Sequence, residues 1–148
     1  MIKLVPPIMP MKIRNDAAGS GEWLAPRGWR LHKAVDLLCT PGQVVAAPCD
    51  TTIIRHGYAY YNCSDYKLVE LEWPYGGIRL LYVDSDMDVG RWVRAGDPIG
   101  VAQDITQRYP NQGMKPHIHW EVYFHAGTVA FGKEGRPSLA YINPEVLL

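Results

Sequence analysis

The chain has 148 residues, about one ordinary domain, and is long enough to bury a core without cross-links. Fifteen basic residues balance fifteen acidic ones, which removes the electrostatic case for nucleic acid or an anionic membrane surface as partner. No apolar run approaches the roughly 20 residues a membrane-spanning helix needs, so no membrane insertion is expected.

The opening, Met1-Ile2-Lys3-Leu4-Val5-Pro6-Pro7, is broken by prolines and lacks the apolar core of a signal peptide. The expectation is a chain that stays inside, has had a signal removed, or leaves by lysis or inside a particle. Residues 1–22 read as an irregular segment, with Asp16–Gly21 as a loop, and residues 23–148 as one β domain. Fourteen glycines and twelve prolines punctuate short apolar and β-branched runs, the pattern of many short strands joined by tight turns. These runs predict strands over Gln43–Ala47, Thr51–His56, Lys67–Trp73, Gly77–Val83, Pro98–Gln103 and Pro116–Phe124. Thr40-Pro41-Gly42 fits a tight turn, Pro74-Tyr75-Gly76-Gly77 a hairpin, and Arg94-Ala95-Gly96-Asp97-Pro98 another turn. No stretch shows the period of a long amphipathic helix; Asp104–Tyr109 and Ser138–Val146 predict one short helical turn each. The fold class is all-β, a single small domain of antiparallel sheets with long loops. Cys39, Cys49 and Cys63 are odd in number, so at least one is unpaired within the chain, and they lack C-x-x-C spacing, which argues against a cysteine zinc knuckle and for small buried or half-buried thiols, with a Cys39–Cys49 bridge as the alternative.

The strongest local chemical signal is Pro116-His117-Ile118-His119-Trp120-Glu121-Val122-Tyr123-Phe124. In a strand, His117, His119, Glu121 and Tyr123 share one face and Ile118, Trp120, Val122 and Phe124 the other, a good core face. The two imidazoles then project together, roughly 6.6 Å apart. A second signal is His32-Lys33-Ala34-Val35-Asp36. An extended chain would hold His32 and Asp36 about 13 Å apart, so a bend must bring them together. Each pair by itself also reads as polar decoration of an exposed surface. Combined, two neutral imidazoles and one carboxylate suit Zn²⁺, and three protein ligands leave a position open for chemistry.

H-x-x-x-D followed far downstream by H-x-H resembles the lysostaphin-type zinc metallopeptidases. Further landmarks occur in the same order: Arg27-Gly28-Trp29-Arg30-Leu31-His32, Pro41-Gly42-Gln43-Val44-Val45-Ala46-Ala47-Pro48, Val93-Arg94-Ala95-Gly96-Asp97-Pro98-Ile99-Gly100 and Ile142-Asn143-Pro144. The resemblance implies a duplicated hybrid motif-like β-sandwich and one Zn²⁺ on His32, Asp36 and His119. It implies His117 as general base or oxyanion partner, and hydrolysis of peptide cross-links in bacterial peptidoglycan. Action would then be at the bacterial cell wall, after release by lysis or carriage in a phage virion, with a place in tail assembly as a related expectation. Glu121 is expected to be a solvent-facing strand carboxylate. His56 and His125 are expected to be structural, and the aromatic group Tyr58, Tyr60, Tyr61, Tyr66, Trp73 and Tyr75 mainly packing.

Two positions depart from the family pattern. Active members carry a further histidine in a Tyr-x-His stretch, and the matching Leu81-Tyr82-Val83-Asp84 holds Asp84 there. An ionised carboxylate cannot donate to an oxyanion and repels its charge; losing one such donor costs about 10²–10³ in rate. Ala34 stands where the family has Gly, narrowing access near His32. These departures, with Val35–Cys39 and Arg108-Tyr109-Pro110, resemble the leukocyte chemotaxin-like branch, a zinc-binding module. The alternative to hydrolysis is thus a catalytically silent zinc-binding structural or binding module.

Overall fold

The computed structural model describes residues 3–125 and 139–148. The first half of the chain forms β1 (Asn15–Asp16), β2 (Gly19–Ser20), β3 (Pro26–Arg27), β4 (Arg30–Leu31), β5 (Val35–Leu38), β6 (Val44–Ala46), β7 (Thr51–Tyr60) and β8 (Cys63–Trp73). The second half forms β9 (Gly76–Leu81), β10 (Val83–Asp84), β11 (Trp92–Val93), β12 (Pro98–Ala102), β13 (His117–His125) and β14 (Leu139–Ile142). Helical geometry among the described residues is confined to two 3-10 turns, Ile105–Gln107 and Pro144–Leu147, so none is long or apolar enough to cross a membrane. The all-β expectation holds.

The large antiparallel sheet runs β11-β7-β8-β9-β13, and the far edge of β13 is shared. Its first half, His117–Trp120, pairs with β5, and its second half, Val122–His125, pairs with β14. A smaller sheet runs β10-β12-β6. Side chains alternate along a strand, so each strand of the large sheet gives one set to the core and one to the opposite face. Val35, Leu37, Ile53, Val69, Leu71, Ile78, Leu80, Ile118, Trp120 and Val122 cluster with Val45, Val83, Ile99 and Ala102 of the small sheet. The alternate set, Asp36, Glu70, Arg79, His117, His119 and Glu121, lies on the other face.

Register fixes who meets whom on that face. His119 lies opposite Asp36 on β5 and Leu81 on β9. Glu121 lies opposite Arg79, which lies opposite Glu70, which lies opposite Arg55. Directly opposed residues in an antiparallel ladder project to the same side. The pairing therefore brings Asp36 to His119 although 83 residues separate them.

The turns follow the chemistry of their residues. Gly42 takes φ +83° and Gln43 N–H donates to the Thr40 carbonyl at 2.9 Å, with Pro41 setting the preceding φ. Pro74-Tyr75 is the two-residue hairpin loop, since Trp73 pairs with Gly76. A Cβ on Gly76 would collide with the Tyr123 carbonyl. The Asp104 carboxylate caps the predicted turn, accepting from Thr106 N–H at 3.1 Å.

Three expectations are corrected. Gly77–Val83 is not one strand: β9 ends at Leu81, Tyr82 adopts a left-handed φ of +67°, and Val83–Asp84 joins the small sheet as β10. Ser138–Val146 is not one helical turn. Ser138 lies outside the described residues, Leu139–Ile142 satisfies the open edge of β13, and helical geometry begins only at Pro144. The strand after Thr51 runs on to Tyr60 rather than stopping at His56. Residues of the opening segment pack closely: Leu4 and Ile8 enter the core, and Ile13 bridges Leu37. The three cysteines are free, with Cys49 buried.

Candidate metal centre

His32 closes the β3–β4 hairpin, with Leu24 N–H donating to its carbonyl at 2.7 Å and its own N–H to Ala25 at 2.9 Å. A bend at Ala34, whose methyl is fully buried, then turns the chain into β5. That bend is what converges His32 and Asp36. One ligand atom each from His32, Asp36 and His119 lies within 4.8 Å of the others. Asp36 Oδ1 is 3.2 Å from His32 Nε2 and 2.9 Å from His119 Nδ1, and the two nitrogens are 3.2 Å apart. His117 Nε2 is 3.8 Å from Asp36 Oδ2. The structure thus brings all four sequence-predicted residues together.

Each outward nitrogen is held by an acceptor. His32 Nδ1–H donates to the Glu22 carbonyl at 2.9 Å, and His117 Nδ1–H to the Lys115 carbonyl at 2.8 Å. His119 Nε2–H donates to Glu121 Oε1 at 3.0 Å. Carbonyls and carboxylates only accept, so each outward nitrogen carries a proton, and the inner one is left to share a proton with Asp36 or to offer its lone pair to a metal. Glu121 is therefore no free surface carboxylate, contrary to expectation. Its other oxygen is 3.7 Å from Arg79, and Arg79 also donates to buried Glu70 at 3.2 Å, which takes a second bond from Arg55 at 2.7 Å.

Asp36 is oriented from behind. Arg14 Nε and Nη2 each lie 3.3 Å from Oδ2, and Arg27 Nη2 lies 3.5 Å from it, leaving Oδ1 toward the histidines. Burial by itself would raise the Asp36 carboxyl, but hydrogen bonds from His119 and His32 hold it far below the usual carboxylate range. Burial would lower His119, yet its bonds to Asp36 and Glu121 push it up to about 9. Burial lowers His117, outweighing the pull of the Asp36 carboxylate. Two inward lone pairs and a carboxylate oxygen at about 3 Å repel unless a cation or proton lies among them. The N,N,O donor set, with each imidazole anchored by its other nitrogen, fits a borderline divalent metal such as Zn²⁺.

These groups line a cavity of about 520 Å³, together with Tyr60, Tyr82, Tyr109, Trp29 and Leu31. Tyr109 O–H donates to Tyr60 Oη at 2.9 Å, and the hydroxyls of Tyr60 and Tyr82 are 3.1 Å apart. The Tyr82 ring lies edge-on to His117, centroids 5.7 Å apart. Burial raises the phenols of Tyr60 and Tyr82, the latter to about 12, so both keep their protons at neutral pH. Asp84 does not line the cavity; it pairs with Lys67 at 3.0 Å where both are half exposed.

His56 lies within β7, its Nε2–H donating to Met87 at 2.6 Å, and His125 ends β13 in the open. Of the aromatic group, Tyr60 faces the cavity, while Tyr66 bonds the Asp104 carbonyl and Trp73 and Tyr75 pack on Phe124. Sequence reasoning missed Arg14, Tyr82 and Tyr109. Arg14 lies in the segment read as irregular and carries no local signal. Tyr109 stands out only as part of a landmark, and Tyr82 faces the site because of a backbone conformation that composition does not announce.

Two antiparallel sheets around one core, with the His-Asp-His cluster opening into a cleft, make a lysostaphin-type architecture. The pattern of peptidase family M23 matches residues 30–133, and the chain belongs to that family. Among curated proteins it is similar to leukocyte cell-derived chemotaxin-2 of Bos taurus, 29% identical over 107 residues, covering 72% of this chain and 69% of that protein. Among solved structures it is similar to the antimicrobial peptidase lysostaphin from Staphylococcus simulans, with a TM-score of 0.58 at 19% identity over 90% of this chain. The chain spans 48% of that lysostaphin chain. A zinc-containing peptidase from Vibrio cholerae shares the fold at a TM-score of 0.55 and 20% identity, over 94% of this chain and 39% of that one.

Proposed function

We propose that this protein is a zinc metallo-endopeptidase acting on the peptide cross-links of bacterial peptidoglycan, with His32, Asp36 and His119 as metal ligands and His117 as general base. The observation that carries the reading is the convergence of three anchored donor atoms beside a fourth, non-ligating imidazole. When bound, zinc supplies a Lewis acid for the scissile carbonyl and lowers the pKa of water to about 7. His32 and His119 present their lone pairs inward because Glu22 and Glu121 hold the outward N–H groups. Arg14 and Arg27 hold Asp36 Oδ2 and aim Oδ1 at the histidines. His117 Nε2, free while Lys115 holds Nδ1–H, takes a proton from the attacking water and returns it to the leaving amine. Membership of a peptidase family and the lysostaphin-type fold support this reading.

The test is peptide release from purified peptidoglycan by zinc-loaded protein, followed as new amino groups and by mass spectrometry. Release should stop with a chelator and fall by about 10²–10⁴ in His117→Ala while zinc stays bound. No release across several wall types, or release that survives His117→Ala, would overturn it. A second reading, a zinc-binding module that turns nothing over, draws support from Asp84 in place of a histidine and from the similarity to leukocyte cell-derived chemotaxin-2. It expects chelation to lower the melting temperature with no release from any wall.

A further inference from the structure

The family histidine replaced by Asp84 leaves open which group donates to a developing oxyanion in this cavity. Asp84 itself is removed from the question, since the left-handed turn at Tyr82 sends it to Lys67, outside the cavity. The same turn sets the Tyr82 ring edge-on to His117. A left-handed φ is costly for a bulky aromatic residue and persists only where the surroundings impose it. Here the chain must pass from the large sheet to the small one at that residue, between Leu81 and Val83.

We propose that the Tyr82 hydroxyl is the donor that faces the oxyanion, with Tyr60 and Tyr109 as positioning residues behind it. The assignment rests on the peptidase reading for its chemical role. The hydrogen-bond chain allows this direction. Three phenols carry three O–H groups, and two internal bonds use two of them. Tyr109 donates to Tyr60, and either phenol can donate in the Tyr60–Tyr82 bond; with Tyr60 as its donor, the Tyr82 proton is left for the cavity. The Arg108 guanidinium sits 3.9 Å from the Tyr60 ring centroid, drawing charge from that phenol and strengthening its O–H as a donor. Tyr141 also lines the cavity, its oxygen accepting from Arg79 at 3.3 Å, but its ring stands against Tyr123 whereas the Tyr82 ring stands against His117 and His119.

Inorganic phosphate, a tetrahedral oxyanion, probes this donor without turnover. Calorimetric titration of phosphate into zinc-loaded protein should give binding that Tyr82→Phe weakens roughly tenfold. Tyr60→Phe should weaken it by a smaller factor and Tyr141→Phe should not, with zinc affinity equal in all variants. Wild-type phosphate affinity in Tyr82→Phe, no phosphate binding by the wild type, or an equal loss in Tyr141→Phe would each overturn the assignment. Peptide release measured in parallel separates the two ideas. Phosphate binding through Tyr82 with no release by the wild type sinks the peptidase reading alone. Release by the wild type that Tyr82→Phe fails to slow by about 10²–10³ sinks the donor role alone.

Discussion

Replacing Glu121 by Gln tests whether this carboxylate belongs to the metal centre. Its Oε1 accepts from His119 Nε2 at 3.0 Å, and its side chain is only 18% exposed. Gln keeps an acceptor of the same length but removes the charge that makes the inward nitrogen a better ligand. Losing an outer partner of a ligating histidine typically costs 10- to 100-fold in metal affinity; with the acceptor retained, the expected loss is about tenfold, or about 1.4 kcal/mol. Glu121→Ala, which loses acceptor and charge together, should fall toward the hundredfold end. The assay is competition for zinc against a chromophoric chelator at fixed pH. Thermal unfolding of the metal-free variants should stay close to wild type, showing that the sheet persists. Zinc affinity unchanged in both variants would refute the reasoning, for that is how a solvent-facing strand carboxylate behaves.

Asp84→Ala should leave zinc affinity and any peptide release unchanged and shift stability by less than about 0.5 kcal/mol, because the Lys67 pair is half exposed; a marked gain in release would mean that the carboxylate reaches the cavity after all. Glu70 predicts an acid weakness. Burial would raise its carboxyl, but bonds from Tyr123 and Arg55 and the charge of Arg79 outweigh it and hold the pKa low. A depressed folded pKa gives stability present above the unfolded value, about 4.3, and lost as pH falls through the folded one. Urea midpoints should therefore drop below pH 4.3 in the wild type and drop less in Glu70→Gln; parallel curves would refute it. Trp120→Ala, at a fully buried position of β13, should cost about 3–5 kcal/mol and lower Tm by roughly 10 °C in the metal-free protein, read by calorimetry.

Much of the fold was legible because its signals are local. Strand runs, Pro-Gly turns and the absence of helical period depend on neighbours within a few residues, and the five longest strands, β7, β8, β9, β12 and β13, follow from them together with β6. For the same reason β5 is absent from the expected strands and β14 falls within an expected helical turn. Val35–Leu38 and Leu139–Ile142 carry little pattern of their own and become strands because β13 offers them an open edge. Strand alternation also placed His117, His119 and Glu121 on one face correctly. It could not reveal what Glu121 does there, since its partners His119 and Arg79 are chosen by χ angles and cross-strand register.

The sequence by itself determined the candidate donors, two imidazoles and a carboxylate, and the β architecture that could carry them. Only the tertiary structure decided their convergence. The bend at Ala34 and the 119-to-36 register close distances that separation along the chain leaves arbitrary. It also decided that Arg14, from the opening segment, stands behind Asp36, and that Tyr82 rather than Asp84 faces the cavity. The physical reason is common to all of these. Metal ligation acts over about 2 Å and hydrogen bonding over about 3 Å, whereas a sequence specifies only order, and the step from one to the other is made by strand pairing and a few backbone turns.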